Sequence, residues 1–235
     1  MSSPEPAWQE GAGSLLFLAA PQETGLIETM EAALPLTSVT CPAHLAHSLC
    51  ASRERLLLTL LFLNAVGLRR TSDLRDYNGD PLALITVHRH AYGYRHTERF
   101  LAEVARGGAD EALTQVVAKW TASLWAPPAH VADAPLPVFY IDGHRKPVYA
   151  DALIPRSVIG RTGKVLGCRA LFLLHDQEGH PLLVTTQRGD QHLTSELPAI
   201  LMVYEQAADL ARCKRIVVER EGVAVEFLAA LALEG

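Results

Sequence analysis

The spacing of hydrophobic residues changes once along this chain, and that change limits the folds open to it. Before about residue 126, apolar residues recur at the three- and four-residue spacing of helices. A proline-rich stretch over 126–135 follows, and after it short runs of β-branched and aromatic residues indicate strands. The sequence therefore predicts a helical block followed by an α/β domain.

The helical block has clear boundary signals. Ser52 is a favourable N-cap, Glu54 stands in the first turn, and Gly67 is placed to end the helix that Ser52 begins. Further helices are predicted from Thr71 or Ser72 to Tyr77, from a first turn that holds Pro81, over 95–105 and over 110–124. Residues 1–50 are predicted to be a loosely structured lead-in with one short helix over 43–50, and 51–126 the helical block.

The remaining residues, 127–235, are predicted to form the α/β domain. Strands are expected over 138–141, ending at Asp142-Gly143, and over 168–175 and 181–187, with a hairpin between the last two. A helix from Thr194 or Ser195 to about 211, a strand over 214–219 and a helix over 223–233 complete the domain. Three antiparallel strands, a helix, a fourth strand and a helix give a sheet in which the fourth strand returns beside the first.

Composition excludes several classes of protein. Hydrophobic residues make up 49% of the chain, which is enough for a core, and a net charge of −5 argues against a surface coated in positive charge. Four scattered cysteines predict reduced thiols. We identify no export signal, and the longest apolar run, 56–68, is shorter than the ~20 residues of a membrane span. A cytoplasmic protein without a membrane partner is expected.

Three segments, in this order, resemble the DDE transposases of bacterial insertion sequences. They are LLFLNAVGLRRTSDLRDYNGDPLALITVHRHAYGYRHTERFLAEVAR, FYIDGHRKPVYADALIPR and RIVVEREGVAVEFLAAL, and the resemblance covers most of residues 55–235. It implies an RNase H-like fold in the α/β domain. It also implies cutting and joining of DNA at the ends of a mobile element, with Mg²⁺ or Mn²⁺ ions held between three carboxylates.

The resemblance assigns two catalytic, metal-binding acids. Asp142 in YIDGH matches the family's first acid, expected at the C-terminal end of the first strand, and Glu219 in VVEREG stands where the family has its second, an Asp. The third acid, a Glu on a helix beyond a fifth strand, has no counterpart before Gly235. This chain alone is therefore expected not to be a competent transposase. One alternative is a non-catalytic DNA-binding remnant that recognises element ends, or a regulator that pairs with a full-length transposase and blocks it. Another is a pseudogene product that is degraded. The expected partners are DNA at the element ends and either a second copy of the chain or a full-length transposase.

Basic and aromatic residues predict where DNA would bind. Residues 52–106 carry nine arginines against six acids in a chain that is acidic as a whole. The expected contacts there are Arg69, Arg70, Arg89, Tyr92, Tyr94 and Arg95. A second group lies in what is predicted to be a long loop after the first strand: His144, Arg145, Lys146, Arg161 and Lys164, with Arg156 nearby. A packed turn between helices and an ordinary exposed loop remain the alternatives.

Overall fold

A computed structural model provides the structure of the protein. It describes residues 19–35, 37, 52–77, 79–86, 90–125, 137–149, 153–160, 162–209, 213, 215–218 and 229. The chain divides into two compact units, Met1–Leu113 and Thr114–Gly235. The division falls inside a helix, Asp110–Trp125, whereas the predicted linker over 126–135 lies outside the described residues.

The described elements of the first unit are all helices. Its elements are α1 (Leu26–Ala33), α2 (Arg53–Ala65), a 3-10 helix (Thr71–Arg75), α3 (Gly79–Ile85), α4 (Tyr94–Arg106) and the start of α5 (Asp110–Trp125). Leu56, Phe62 and Phe100 are almost wholly buried in one shared apolar core. Helices are present where the sequence predicts them between residues 52 and 125. The prediction of a loosely structured lead-in over 1–50 is wrong for α1, because Ile27 and Leu34 are buried in the same apolar core.

The two ends of helix α2 are determined by capping residues in the local sequence. The Ser52 hydroxyl accepts a hydrogen bond from the Arg55 amide at 3.4 Å, as an N-cap should. At the other end Gly67 adopts φ 76°, and the Leu68 amide donates to the Leu63 carbonyl at 2.8 Å. That pattern is a Schellman motif, which satisfies the last carbonyls of the helix. Both predicted boundary residues therefore act as caps.

The second unit is built on a mixed five-stranded sheet. Its strands are β1 (Phe139–Pro147), β2 (Arg156–Ile159), β3 (Lys164–Asp176), β4 (Pro181–Arg188) and β5 (Ile216–Val218), with α6 (Leu193–Ala207) between β4 and β5. β3 pairs antiparallel with β1, β2 and β4, whereas β5 lies beside β1 and parallel to it. The predicted return of the last strand to the side of the first is confirmed.

One face of this sheet is covered by helices. Phe139, Phe172 and Leu174 are fully buried there against Leu197 and Tyr204 of α6, with Ala118 and Ala122 of α5 in the same core. We call this the packed face. The alternation of side chains along a strand sends every second residue to it. The burial pattern of β3 shows that alternation from Cys168 to Leu174.

Two details of the predicted sheet are wrong. β1 does not end at Asp142-Gly143 but continues to Pro147, because residues 143–147 pair in register with 168–172 of β3. The segment predicted to be a long loop contains β2, which pairs with the first residues of β3. The predicted helices over 43–50 and 223–233 fall outside the described residues. Within the part of the chain that the structure describes, no helix has the length and apolar character needed to cross a bilayer.

Candidate functional site

The other face of the sheet, which we call the open face, collects the polar residues of the strands. None of its residues on β1, β3 and β4 is fully buried. By register they are Tyr140, Asp142, His144, Lys146, Arg169, Leu171, Leu173, His175, Val184, Thr186 and Arg188. Because the covering helices pack on the opposite side, this face is the surface on which the sheet can present its side chains to a ligand.

Asp142 lies on the open face in the middle of β1 and not at its end. Its side chain is exposed, and in the register it stands opposite Leu173 of β3. Within the described residues its carboxylate accepts no hydrogen bond and forms no ion pair. The oxygens are thus free to bind a hard cation such as Mg²⁺, for which carboxylates are the usual protein ligands. The donor chemistry at this position fits the ion that the resemblance implies.

Asp142 comes directly after the last residue of β1 that pairs with β5. Ile141 is the last β1 residue paired with β5, and its partner is Val218. Asp142 and Glu219 are the next residues along the two parallel chains. Glu219 itself lies outside the described residues. The two acids of the sequence prediction therefore follow directly on a matched pair of neighbouring strand residues.

A row of cations crosses the open face next to one end of β1. Lys146, Arg169 and Arg188 are successive partners on β1, β3 and β4, and all three are exposed. Arg188 is held by Asp190, with its Nη2 2.9 Å from the carboxylate. We call these three residues the basic row. Of the three, only Lys146 was predicted from the sequence to bind DNA, because Arg169 and Arg188 become its neighbours only through the strand register.

The residues predicted to form a basic loop are instead strand residues with different roles. His144 and Lys146 are exposed on the open face, whereas Lys164 is the first residue of β3. Arg145 alternates to the packed face, where its guanidinium donates to the carbonyls of Gly189 at 3.2 Å and Gln191 at 3.0 Å. Arg145 thus ties β1 to the turn that follows β4. The placement of this group in a loop was wrong, and Arg161 falls outside the described residues.

In the first unit, the structure brings together part of the predicted DNA-binding set. The Arg75 guanidinium lies 3.9 Å from the centre of the Tyr94 ring, and Arg95 Nε donates to the Tyr94 hydroxyl at 3.0 Å. The Arg95 hydrogen bond lowers the pKa of Tyr94. This pair of arginines on one tyrosine gives a flat cationic surface. Arg75 was missed because it lies far from Tyr94 in sequence.

Three other residues of the predicted DNA-binding set, Arg69, Arg70 and Tyr92, make contacts within the first unit. Arg69 and Arg70 are exposed, and their backbone amides donate to the Asp73 carboxylate at 3.1 Å and 3.0 Å. The Tyr92 hydroxyl accepts a hydrogen bond from the Ser52 amide at 3.2 Å, and its ring stacks on His96. Tyr92 therefore helps to begin α2. Arg89 lies outside the described residues.

Comparison with known proteins adds no assignment: no family model, curated protein or solved structure matches this chain.

Proposed function

We propose that the protein is a transposase-like DNA-processing protein whose α/β unit is RNase H-like and whose open face binds DNA. The observation that carries the proposal is the parallel pairing of Ile141 with Val218, after which the two chains continue into Asp142 and Glu219. Two acids that come next in sequence after a paired residue of two parallel neighbouring chains are suited to share a divalent ion. The strand order β4, β3, β1, β5 with a helix between β4 and β5 supports the fold assignment.

Three residues of the open face have a defined part in this proposal. Asp142, together with Glu219, would hold the metal ion, which supplies charge stabilisation at a phosphate and an activated oxygen nucleophile. Lys146 and Arg169 would neutralise phosphates further along the DNA. Lys146 lies four residue steps along β1 from Asp142, about 13 Å at a rise of about 3.3 Å per residue. That length corresponds to about four base steps of duplex at about 3.4 Å each.

The alternative is a DNA-binding protein without catalytic activity, a remnant or a regulator of a full-length transposase. The basic row and the Tyr94 cluster with Arg75 and Arg95 favour it, because they supply phosphate contacts whatever Asp142 does. Both candidates have DNA as partner and differ only in the role of Asp142. Association with a second copy of the chain is compatible with either.

Nicking of supercoiled plasmid separates the two candidates. The purified chain is incubated with plasmid and Mn²⁺, beside the variants Asp142→Asn and, as control, Asp209→Asn. Asp209 is exposed and has φ 52°, a conformation that Asn tolerates well. Nicking that Asp142→Asn abolishes and Asp209→Asn retains supports the enzyme. Salt-dependent DNA binding without nicking supports the alternative, and the absence of both activities contradicts both.

A further inference from the structure

A cavity of about 370 Å³ lies in the second unit beside the hairpin that joins β3 and β4. Its lining includes Trp125, Phe139, Leu182 and Tyr204, and three residues of the hairpin, Asp176, Glu178 and His180. In the β1–β3 register Asp176 stands opposite Phe139, the first residue of β1. The cavity is therefore set apart from Asp142 along the strand, and its chemistry can be considered independently of the proposed function.

The three hairpin residues have the ligand types and spacing of a metal site. Each offers one ligand atom, and these atoms all lie within 4.8 Å of one another. His180 Nδ1 is 2.8 Å from Asp176 Oδ2 and 3.7 Å from Glu178 Oε2. Zinc bonds of about 2.0–2.1 Å in tetrahedral geometry place ligand atoms about 3.3 Å apart. These two distances lie on either side of that value, and a bound ion would draw the three ligand atoms towards it.

Contacts around the ligands hold two of them in place. Asp176 Oδ1 accepts hydrogen bonds from the amides of Glu178 and His180, both at 2.9 Å, and Oδ2 is hydrogen-bonded to His180 Nδ1 at 2.8 Å. A zinc ion would replace the proton shared by Oδ2 and Nδ1, since a ligating imidazole nitrogen is deprotonated. The His180 ring stacks on Trp125 with centroids 5.1 Å apart and planes 2° from parallel. Hydrogen bonds and packing that fix ligand orientation are the usual support of a metal site. Glu178 is the exposed ligand, with 69% of its side chain accessible.

The Tyr204 hydroxyl is a second feature of this cavity, independent of the three hairpin residues. Tyr204 is completely buried and lines the cavity, yet its hydroxyl has no hydrogen-bond partner within the described structure. Buried polar groups almost always find a partner. A water bound to a metal ion at the hairpin would provide one, since a site with three protein ligands keeps a position for water.

We infer that Asp176, Glu178 and His180 bind a single zinc ion, with Tyr204 bonded to the water that completes its coordination. Two carboxylates and an imidazole suit zinc better than Mg²⁺ or Ca²⁺, which prefer oxygen ligands throughout. The site differs from the one proposed at Asp142 in ligand type as well as in position. The zinc site can therefore be present or absent whether or not the transposase proposal is correct.

The test is titration of the chelator-treated full chain with Zn²⁺ alone, followed by Co²⁺ for its visible spectrum. The variants are His180→Gln, Glu178→Gln and Tyr204→Phe, and the control is His192→Gln, an exposed histidine in the same unit. Circular dichroism verifies the fold of each. We expect His180→Gln to remove one equivalent of zinc, and Tyr204→Phe to weaken the same site about tenfold, as loss of a supporting hydrogen bond does. The control should change neither.

The Co²⁺ spectrum separates this site from any site that uses cysteine. The part of the spectrum that His180→Gln removes should contain no thiolate charge-transfer band, since the proposed ligands are oxygen and nitrogen. Zinc binding that is identical in the wild type and in folded His180→Gln would overturn the inference. So would the absence of any bound equivalent in the wild type, whatever the plasmid assay shows for Asp142.

Discussion

The two faces of the sheet are made by the same strands and yet carry opposite kinds of residue. On β3, Phe172 points to the packed face and is completely buried, whereas its neighbour Leu173 points to the open face and is half-exposed. Asp142, Lys146 and Arg169 all lie on the open side. Stability therefore rests on one face, and the candidate chemistry on the other. Substitutions on the two faces should therefore have different effects.

Truncation of Phe172 should lower the free energy of unfolding far more than truncation of Leu173. Phe172→Ala removes a ring from the centre of the packed face, for which we expect a loss of about 3–5 kcal/mol in the free energy of unfolding. Leu173→Ala should cost about 1 kcal/mol, because its side chain already contacts solvent. Urea denaturation of both variants measures the difference. Equal losses would show that the open face is packed as tightly as the other.

Cys213 should be protected from alkylation by its place in the packed core. Burial, and then the Glu205 carboxylate, raise the pKa of its thiol from 9.0 to about 12. At pH 8 its thiolate fraction should be about a thousandfold lower than that of an ordinary cysteine, as each pKa unit is a factor of ten. Site-resolved mass spectrometry after brief iodoacetamide treatment measures this. Labelling of Cys213 in the native protein as fast as in urea would contradict it.

The same pKa shift sets the direction of a pH effect on stability. The unfolded thiol ionises near pH 9, but the folded one keeps its proton until about pH 12. The unfolded state therefore binds fewer protons in this range, and the contribution of Cys213 to stability falls as the pH rises through it. Cys213→Ala should show a weaker fall between pH 9 and 11 in denaturation experiments. If the stability of the wild type and of Cys213→Ala depends on pH in the same way, Cys213 is not the cause of the fall.

Gly189 should tolerate no side chain, because the turn after β4 closes tightly on the packed face. A Cβ there would lie 2.3 Å from the Cys168 carbonyl oxygen, a backbone atom. We expect Gly189→Ala to cost about 1–3 kcal/mol, the usual range for an overpacked site. The matched control is Gly160→Ala, where a Cβ meets nothing within 4 Å. Similar melting temperatures for the two variants would contradict the observed approach.

Arg169→Ala should weaken DNA binding without affecting the fold. Loss of one phosphate contact lowers the slope of log affinity against log salt by about one. Lys119→Ala is the control, since Lys119 is an exposed cation on α5, a helix that packs on the opposite face. Fluorescence anisotropy with a labelled duplex at several salt concentrations measures both slopes. If Lys119→Ala lowers the slope as much as Arg169→Ala, the open face is not the DNA surface.

Sequence alone predicted most of the elements because their signals are local. Ser52 and Gly67 cap α2 as their types predict, and the cores of β3 and β4 follow from runs of apolar and β-branched residues. The Asp142-Gly143 turn signal failed because pairing with β3 outweighs it. Strand β2 was missed since four residues give too short a pattern.

The candidate sites were harder to predict because they depend on register. Lys146 and Arg169 become neighbours only when β1 and β3 are aligned residue by residue, and one residue of slip would send Arg169 to the packed face. Arg75 reaches Tyr94 through the packing of the first unit. The pattern Asp176-x-Glu178-x-His180 was visible in the sequence, but we interpreted it as a hairpin connection. Its metal-binding geometry is apparent only with the cavity and Tyr204.

The most direct test of the central claim, that Asp142 on the open face is a metal ligand, is a crystal structure of the chain grown with Mn²⁺ and a short DNA duplex. We expect an anomalous manganese peak within bonding distance of the Asp142 carboxylate, with the DNA backbone along Lys146 and Arg169. A peak that leaves Asp142 without a ligand contact, or DNA bound only elsewhere, would contradict it.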